Sequence, residues 1–256
     1  MQSQTYIYDG TFDGFLTAVF HVFEFKLKTV NIQNECVQQH GLFSENETIT
    51  TDEKKANRVW VGLKKQLSVR GRFQLYYAFL SEKEGIENVL LDYIRYAFTK
   101  TNADKDFAHP SVLKVAQIAK MVGREKHRME AFVRFKLTQD EIYFANIEPD
   151  FNVLPLIEKH FKRRYADQKW MIYDIKRHYG LFYNLDKVEI IEMQFPEHFD
   201  FTKTSTDIFA AQEFEFQTLW QDYFKATNIK SRKNMKLHIR HVPKRYWKYL
   251  SEKLPS

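Results

Sequence analysis

The residues with the clearest chemistry lie at the end of the chain. Residues 225–256 carry ten Lys or Arg and one acid, Glu252, a local charge of +9 in a 256-residue chain whose formal net charge is +6. The first 224 residues hold 29 basic and 32 acidic residues and sum to −3. Within KSRKNMKLHIRHVPKRYWKYLSEK the cations are interleaved with aromatic residues. Cations neutralise phosphates and aromatic faces stack on unpaired bases, so this composition points first to nucleic acid. Met235, Leu237 and Ile239 alternate with polar residues. A strand here places Asn234, Lys236, His238 and Arg240 on one face, a row of donors for phosphates or base edges, with Arg232 just before it. Pro243 is suited to open a last helix that carries Lys244 and Arg245 in its first turn. Their charge opposes the helix dipole there, and a bound anion would offset that repulsion. Tyr246, Trp247 and Tyr249 are the stacking candidates. The plain alternative is that Trp247 and Leu250 are core and the cations only solvate a surface.

Three further sets lie upstream. In VGREKHRMEAFVRF, a continuing helix puts Lys120, Arg124, His127 and Arg128 on one face. Arginines bracketing a histidine suit phosphate or carboxylate recognition, although Glu125 and Glu130 offer local partners for the same side chains. His160, Arg163 and Arg164 end another predicted helix, where cations complement the dipole without any ligand. Asp174 and Arg177 follow the apolar run WMIY, a placement that serves an acid or base as readily as a salt bridge; the salt bridge is the simpler expectation. The chain contains no P-loop, dinucleotide fingerprint, GxSxG or HExxH. His238 and His241 have no Cys or carboxylate near them in sequence, so no metal and no cofactor is expected.

These residues need a frame. Apolar residues make up 44% and aromatics 16% of the chain, enough for a real core. The one cysteine, Cys36, cannot form an internal disulfide, which fits a reducing compartment. The opening residues lack a basic region followed by an apolar run, and no apolar stretch approaches bilayer-spanning length. The chain therefore reads as soluble and cytoplasmic, with no membrane partner. Tyr6–Tyr8 predicts a strand leading through Asp9-Gly10 to a helix capped by Thr11, with Phe12, Phe15, Leu16, Val19, Phe20 and Phe23 at helical spacing. Residues 31–50 read as polar and irregular. Helices are predicted over 52–68, around Val89–Phe98, and from Pro110. After about residue 130, Ala131, Val133, Phe135 and Leu137 alternate as a strand that pairs with EIYFANI. A helix over 152–165, a buried strand KWMIYDI, a hairpin of GLFYN and VEIIEM, and a long helix near 207–226 follow. The expected fold class is α+β. It comprises a helical stretch over 1–128, a small mostly antiparallel sheet with one intervening helix over 129–195, and a helical basic region over 206–256, all in a single integrated domain spanning 1–256.

Four stretches together carry a family resemblance: YDGTFDGFLTAVFHVFE, VGREKHRMEAFVRF, PDFNVLPLIEKHFKRRYADQKWMIYDIKRHYGLFY and RKNMKLHIRHVPKRYWKYLSE. The chain resembles, over nearly its full length, a bacterial DNA metabolism and DNA repair family. Members of that family accompany a radical SAM protein of DNA modification or repair, and in some bacteria a similar domain is fused to a uracil-DNA glycosylase-like domain. The resemblance implies DNA and the radical SAM protein as partners, and supplies no catalytic residues. This chain lacks the cysteine triplet of a radical SAM cluster, so it would be the companion. A DNA-binding accessory protein is the leading expectation. A nucleic-acid-processing enzyme using Arg124, His127, Arg128 and Asp174, and a protein-interaction module whose basic end docks an acidic surface, are the alternatives.

Overall fold

The computed structural model describes residues 4–35, 46–193, 209, 210, 213, 239, 241–250 and 253. The chain divides into two compact units, Met1–Gly123 and Arg124–Ser256. The fold is α+β, with helices and two small sheets. No helix among the described residues is long and apolar enough to cross a membrane.

The first unit is built on a three-stranded parallel sheet. Its strands are β1 (Gln4–Tyr8), β2 (Val30–Asn34) and β3 (Asn46–Thr48), in the order β2-β1-β3. The central strand has no solvent face, so Thr5 to Tyr8 are all buried, as in parallel sheets covered on both sides. The strand expected at Tyr6–Tyr8 is β1, within a region that is otherwise mostly helical as expected, while β2 and β3 correct the irregular reading of 31–50 at residues 31–34 and 46–48. Helix α1 (Phe12–Glu24) follows β1, with Thr11 Oγ1 accepting the Gly14 N–H at 2.9 Å. Helix α2 (Glu53–Gln66) follows β3, and Asp52 caps it by accepting from the N–H groups of Lys54 and Lys55. A helix not anticipated, α3 (Val69–Phe79), is capped by Ser68, and α4 (Ile86–Thr99) packs Leu90, Tyr93 and Ile94 into the core. Helix α5 (Pro110–Phe132) opens at Pro110 as expected and runs past the start of the predicted strand over 131–137.

The second unit holds a five-stranded sheet of β4 (Lys136–Leu137), β5 (Tyr143–Ile147), β6 (Trp170–Asp174), β7 (Tyr179–Tyr183) and β8 (Val188–Ile191), in chain order across the sheet. The β5–β6 pair is parallel and the other three pairings are antiparallel. Helix α6 (Leu154–Arg164) is the crossover between β5 and β6, with Pro155 in its first turn. It buries Leu154, Ile157 and Phe161, and Phe161 meets Trp170 of β6 at 6.2 Å between ring centroids. A short 3-10 helix, Lys244–Tyr249, follows Pro243 and buries Tyr246 and Leu250. The long helix predicted near 207–226 lies almost wholly outside the described residues.

Candidate functional site

The parallel pairing of β5 and β6 fixes the location of the site. Ile147 is the register partner of Asp174, so residues 148–150 and 175–177 leave the sheet at the same edge. Asp174 is fully buried and turns the chain there: its Oδ1 accepts from the N–H groups of Lys176 (2.9 Å) and Arg177 (3.3 Å). Its Oδ2 pairs with Arg177 Nη1 at 2.9 Å. Burial pushes the Asp174 carboxyl up, while Arg177 and the two N–H groups pull it down. Arg177 also donates to the carbonyls of Pro149 and Asp150, at 3.2 and 3.3 Å, which ties the neighbouring loop down. The salt-bridge expectation for Asp174 and Arg177 therefore holds. A carboxylate committed in this way is not a free general acid or base.

The terminal 3-10 helix meets the same loop through its cations. Arg245 Nη2 lies 2.6 Å from Asp150 Oδ2 and 3.1 Å from Glu125 Oε2 of α5. The Tyr246 hydroxyl donates to Glu125 Oε1, which also accepts the Asp150 N–H at 3.0 Å. Lys248 Nζ reaches Glu148 Oε2 at 2.6 Å, and the Tyr249 hydroxyl donates to the same oxygen at 2.5 Å. These two bonds hold the Glu148 carboxyl below the usual carboxylate range. Burial and the Glu148 charge push the Tyr249 hydroxyl up to about 12. The result is a cleft of about 480 Å³ lined by Glu148, Pro149, Asp150, Lys176, Lys244, Arg245 and Lys248. Arg245 and Lys248 are exposed but already paired with Asp150, Glu125 and Glu148. Lys176 and Lys244 are exposed, line the cleft, and have no ion pair among the described residues. Two unpaired ammonium groups on one cleft can take an anion such as a phosphate.

The remaining predicted residues fall into distinct groups. Arg128 Nη1 approaches Glu125 Oε2 at 3.4 Å, the carboxylate that Arg245 also contacts. His127 and His160 both face Glu130, at 3.9 and 3.8 Å, and Lys126 bonds to it at 2.5 Å. Glu125 and Glu130 are five positions apart, roughly 140° around the helix, so the fold gathers these basic side chains at two carboxylates and not in one row. Arg124 and Arg163 are exposed with no ion pair among the described residues. Arg164 lies over the Tyr165 ring at 5.7 Å. Tyr246 is 2% exposed and bonded to Glu125, so it is a core side chain with no face for a base. Trp247 is half-buried, donates from Nε1 to the Val242 carbonyl at 3.0 Å, and is covered by Lys253 at 5.5 Å. Arg232, Asn234, Lys236, His238 and Arg240 lie outside the described residues, as does Cys36. Ile239 and His241 are helical, so the strand expected over 235–239 does not hold at its end.

Lys176 and Lys248 were missed because spacing alone gives no sign that the turn after β6 meets a helix some seventy residues later. Lys248 does stand four positions after Lys244, which is one usable signal. Among the described residues, no three His, Cys, Asp or Glu side chains form a group able to hold a metal ion.

The chain belongs to the family described as a domain of unknown function, DUF4130, which matches residues 84–252. No curated protein matches it. Among solved structures it is similar to a pGpG-specific phosphodiesterase, PggH from Vibrio cholerae, with 9% identity over 71% of this chain and 81% of that one. The TM-score is 0.30, too low for that likeness to carry any argument.

Proposed function

We propose that this DUF4130 protein is a DNA-binding accessory protein of DNA repair or modification, working beside a radical SAM enzyme. The observation that carries the DNA part is the pair Lys176 and Lys244, unpaired cations on a cleft whose other cations already have partners. Their neighbours are fixed: Arg177, Glu125, Arg245 and Lys248 hold the 148–150 loop through carbonyls, an N–H and two carboxylates. A rigid rim loses little entropy when it meets a phosphate. Exposed Arg124 and Arg163 add positive charge to the same unit. The radical SAM partner and the repair setting rest on the family resemblance of the four long motifs.

Two experiments test this reading. Anisotropy with labelled single- and double-stranded oligonucleotides should show binding that weakens steeply with salt, because neutralised phosphates release counterions. No affinity for either form at low salt overturns the DNA part. Co-purification of the radical SAM protein from nuclease-treated lysate supports the partnership, and its absence under native expression overturns it.

A further inference from the structure

The first unit carries a second cavity, of about 800 Å³, that the reading above does not use. It opens where α1 and α2 begin. Both helices follow parallel strands directly, so the cavity lies at the carboxyl edge of the β2-β1-β3 sheet, where open α/β sheets bind ligands. The edge is tied together by Asp9, whose Oδ1 accepts from Thr11 and whose Oδ2 accepts from Thr51 Oγ1 at 2.7 Å. Thr11 already takes the Gly14 N–H of α1, and Asp52 takes the Lys54 and Lys55 N–H groups of α2. The side chains lining the cavity supply the contacts a ligand needs.

Those side chains are of two kinds. Phe12, Trp60 and Tyr76 form a half-exposed aromatic wall. Phe12 meets Trp60 at 5.7 Å and Tyr76 at 5.0 Å, both edge to face, which fixes the ring orientations. Lys54, Lys64 and Arg72 supply three cations on the same cavity. Lys64 Nζ stands 6.0 Å from the Trp60 ring centroid, within reach of an anion carried by a group stacked on the indole. Arg72 uses Nη1 on the Lys64 carbonyl, at 3.3 Å, which leaves its other donors. Asn57 is exposed and its amide has no hydrogen bond among the described residues. Asp13 and Glu53 sit in helix first turns, where the dipole favours them, and can accept from exocyclic amino groups.

An apolar ligand would leave the three cations without purpose, and a bare phosphate would leave the aromatic wall without purpose. The geometry points to a nucleotide: a planar base stacked on the Trp60 indole and bordered by Phe12 and Tyr76, its edge read by Asn57 and Asp13, its phosphate held by Lys64 and Arg72. A free nucleotide and a base within a single strand share this chemistry.

Tryptophan emission tests the assignment: Trp60 is half-exposed and Trp170 fully buried, and the Trp60→Phe variant separates the Trp60 signal from that of the other tryptophans, half-buried Trp247 included. Deoxyadenosine 5′-monophosphate, deoxyadenosine, inorganic phosphate and a short oligothymidylate are titrated separately into the full chain. The expected result is saturable quenching by the monophosphate, at least about tenfold weaker binding of the nucleoside, and no response to phosphate. The quenching should vanish in Trp60→Phe and weaken in Lys64→Ala and Arg72→Ala, with Asn57→Ala as a milder variant that leaves the helix packing intact. Saturation by the oligonucleotide alone assigns the site to strand-borne bases. Silence with all four probes, or quenching unchanged in the Lys64→Ala/Arg72→Ala double variant, overturns the proposal. A Lys176→Ala/Lys244→Ala variant should keep the response, which separates this site from the cleft of the second unit.

Discussion

Glu125 and Tyr246 lie 121 positions apart in sequence and share a hydrogen bond in the core of the second unit. That bond docks residues 244–249 of the basic C-terminal segment onto the second unit. Glu125 is 1% exposed and also receives Arg245, Arg128 and the Asp150 N–H. Replacing it by Ala leaves the buried Tyr246 hydroxyl and the Asp150 N–H without their acceptor, while Arg245 keeps Asp150, so Glu125→Ala should cost about 1–3 kcal/mol for each orphaned group in urea unfolding. Tyr246→Phe removes one donor and should cost about 1–3 kcal/mol. The double variant should cost less than the sum of the two, because both act on one network.

Arg177 is the counter-ion of a fully buried carboxylate. Arg177→Ala should therefore destabilise the fold by about 3–5 kcal/mol at neutral pH. The folded Asp174 carboxyl already titrates above its ordinary value, and losing Arg177 raises it further. A raised folded value contributes stability below the unfolded pKa that is lost as pH rises through the folded one. The penalty of Arg177→Ala should thus shrink as pH falls from neutral through the raised folded value of Asp174. Thermal melts at neutral pH and at a pH below that value check this, and an equal penalty at both would contradict it.

Asp106 in the first unit behaves in the opposite way. Lys100 Nζ at 2.6 Å and the Tyr96 hydroxyl at 2.5 Å hold its carboxyl down at about 2. A depressed folded value contributes stability above the unfolded pKa that is lost as pH falls through the folded one. The Asp106 carboxyl resonance should titrate near that value, and Lys100→Met should move the midpoint upward.

Gly14 is required by close approach. A Cβ there would lie 2.2 Å from Asp9 Oδ1 and 2.8 Å from Thr51 Oγ1. Gly14→Ala should cost about 1–3 kcal/mol by overpacking. It should also weaken nucleotide quenching at Trp60, because the Asp9–Thr51 tie sets the mouth of that cavity.

Helices with a strong apolar stripe and a clear cap were legible in the sequence. Thr11 caps α1 as its position implies, Pro110 opens α5, and Pro155 sits in the first turn of α6. Of the N-terminal sheet only β1 was legible, from Tyr6–Tyr8. In β2 only Ile32 is buried, and β3 is the exposed tripeptide Asn46-Glu47-Thr48, so neither carries an apolar pattern. Their partner β1 supplies the burial. Helix α3 was missed because Gly71 and exposed Val69 and Phe73 blur its stripe. The alternation read over 131–137 was overridden at its start by the continuation of α5 to Phe132. At the site, residue type identified cations but not their neighbours. Tyr246 turns inward onto Glu125, while Arg245 and Lys248 stay exposed and pair at the surface with Asp150 and Glu148, acids that come from distant elements. Lys176 and Lys244 form no ion pair among the described residues, although the Lys176 charge also helps to hold the Glu148 carboxyl down.

The central claim is that Lys176 and Lys244 hold a DNA phosphate. Measuring DNA affinity against salt for the wild-type chain and for Lys176→Ala/Lys244→Ala tests it most directly. Each lost phosphate contact should reduce the log–log salt slope by about one, so the double variant should bind more weakly at low salt, uniformly across sequences, with a slope shallower by up to about two. Both lysines are exposed and unpaired, so the variant should melt with the wild type. An unchanged affinity and slope in a folded double variant would contradict the account.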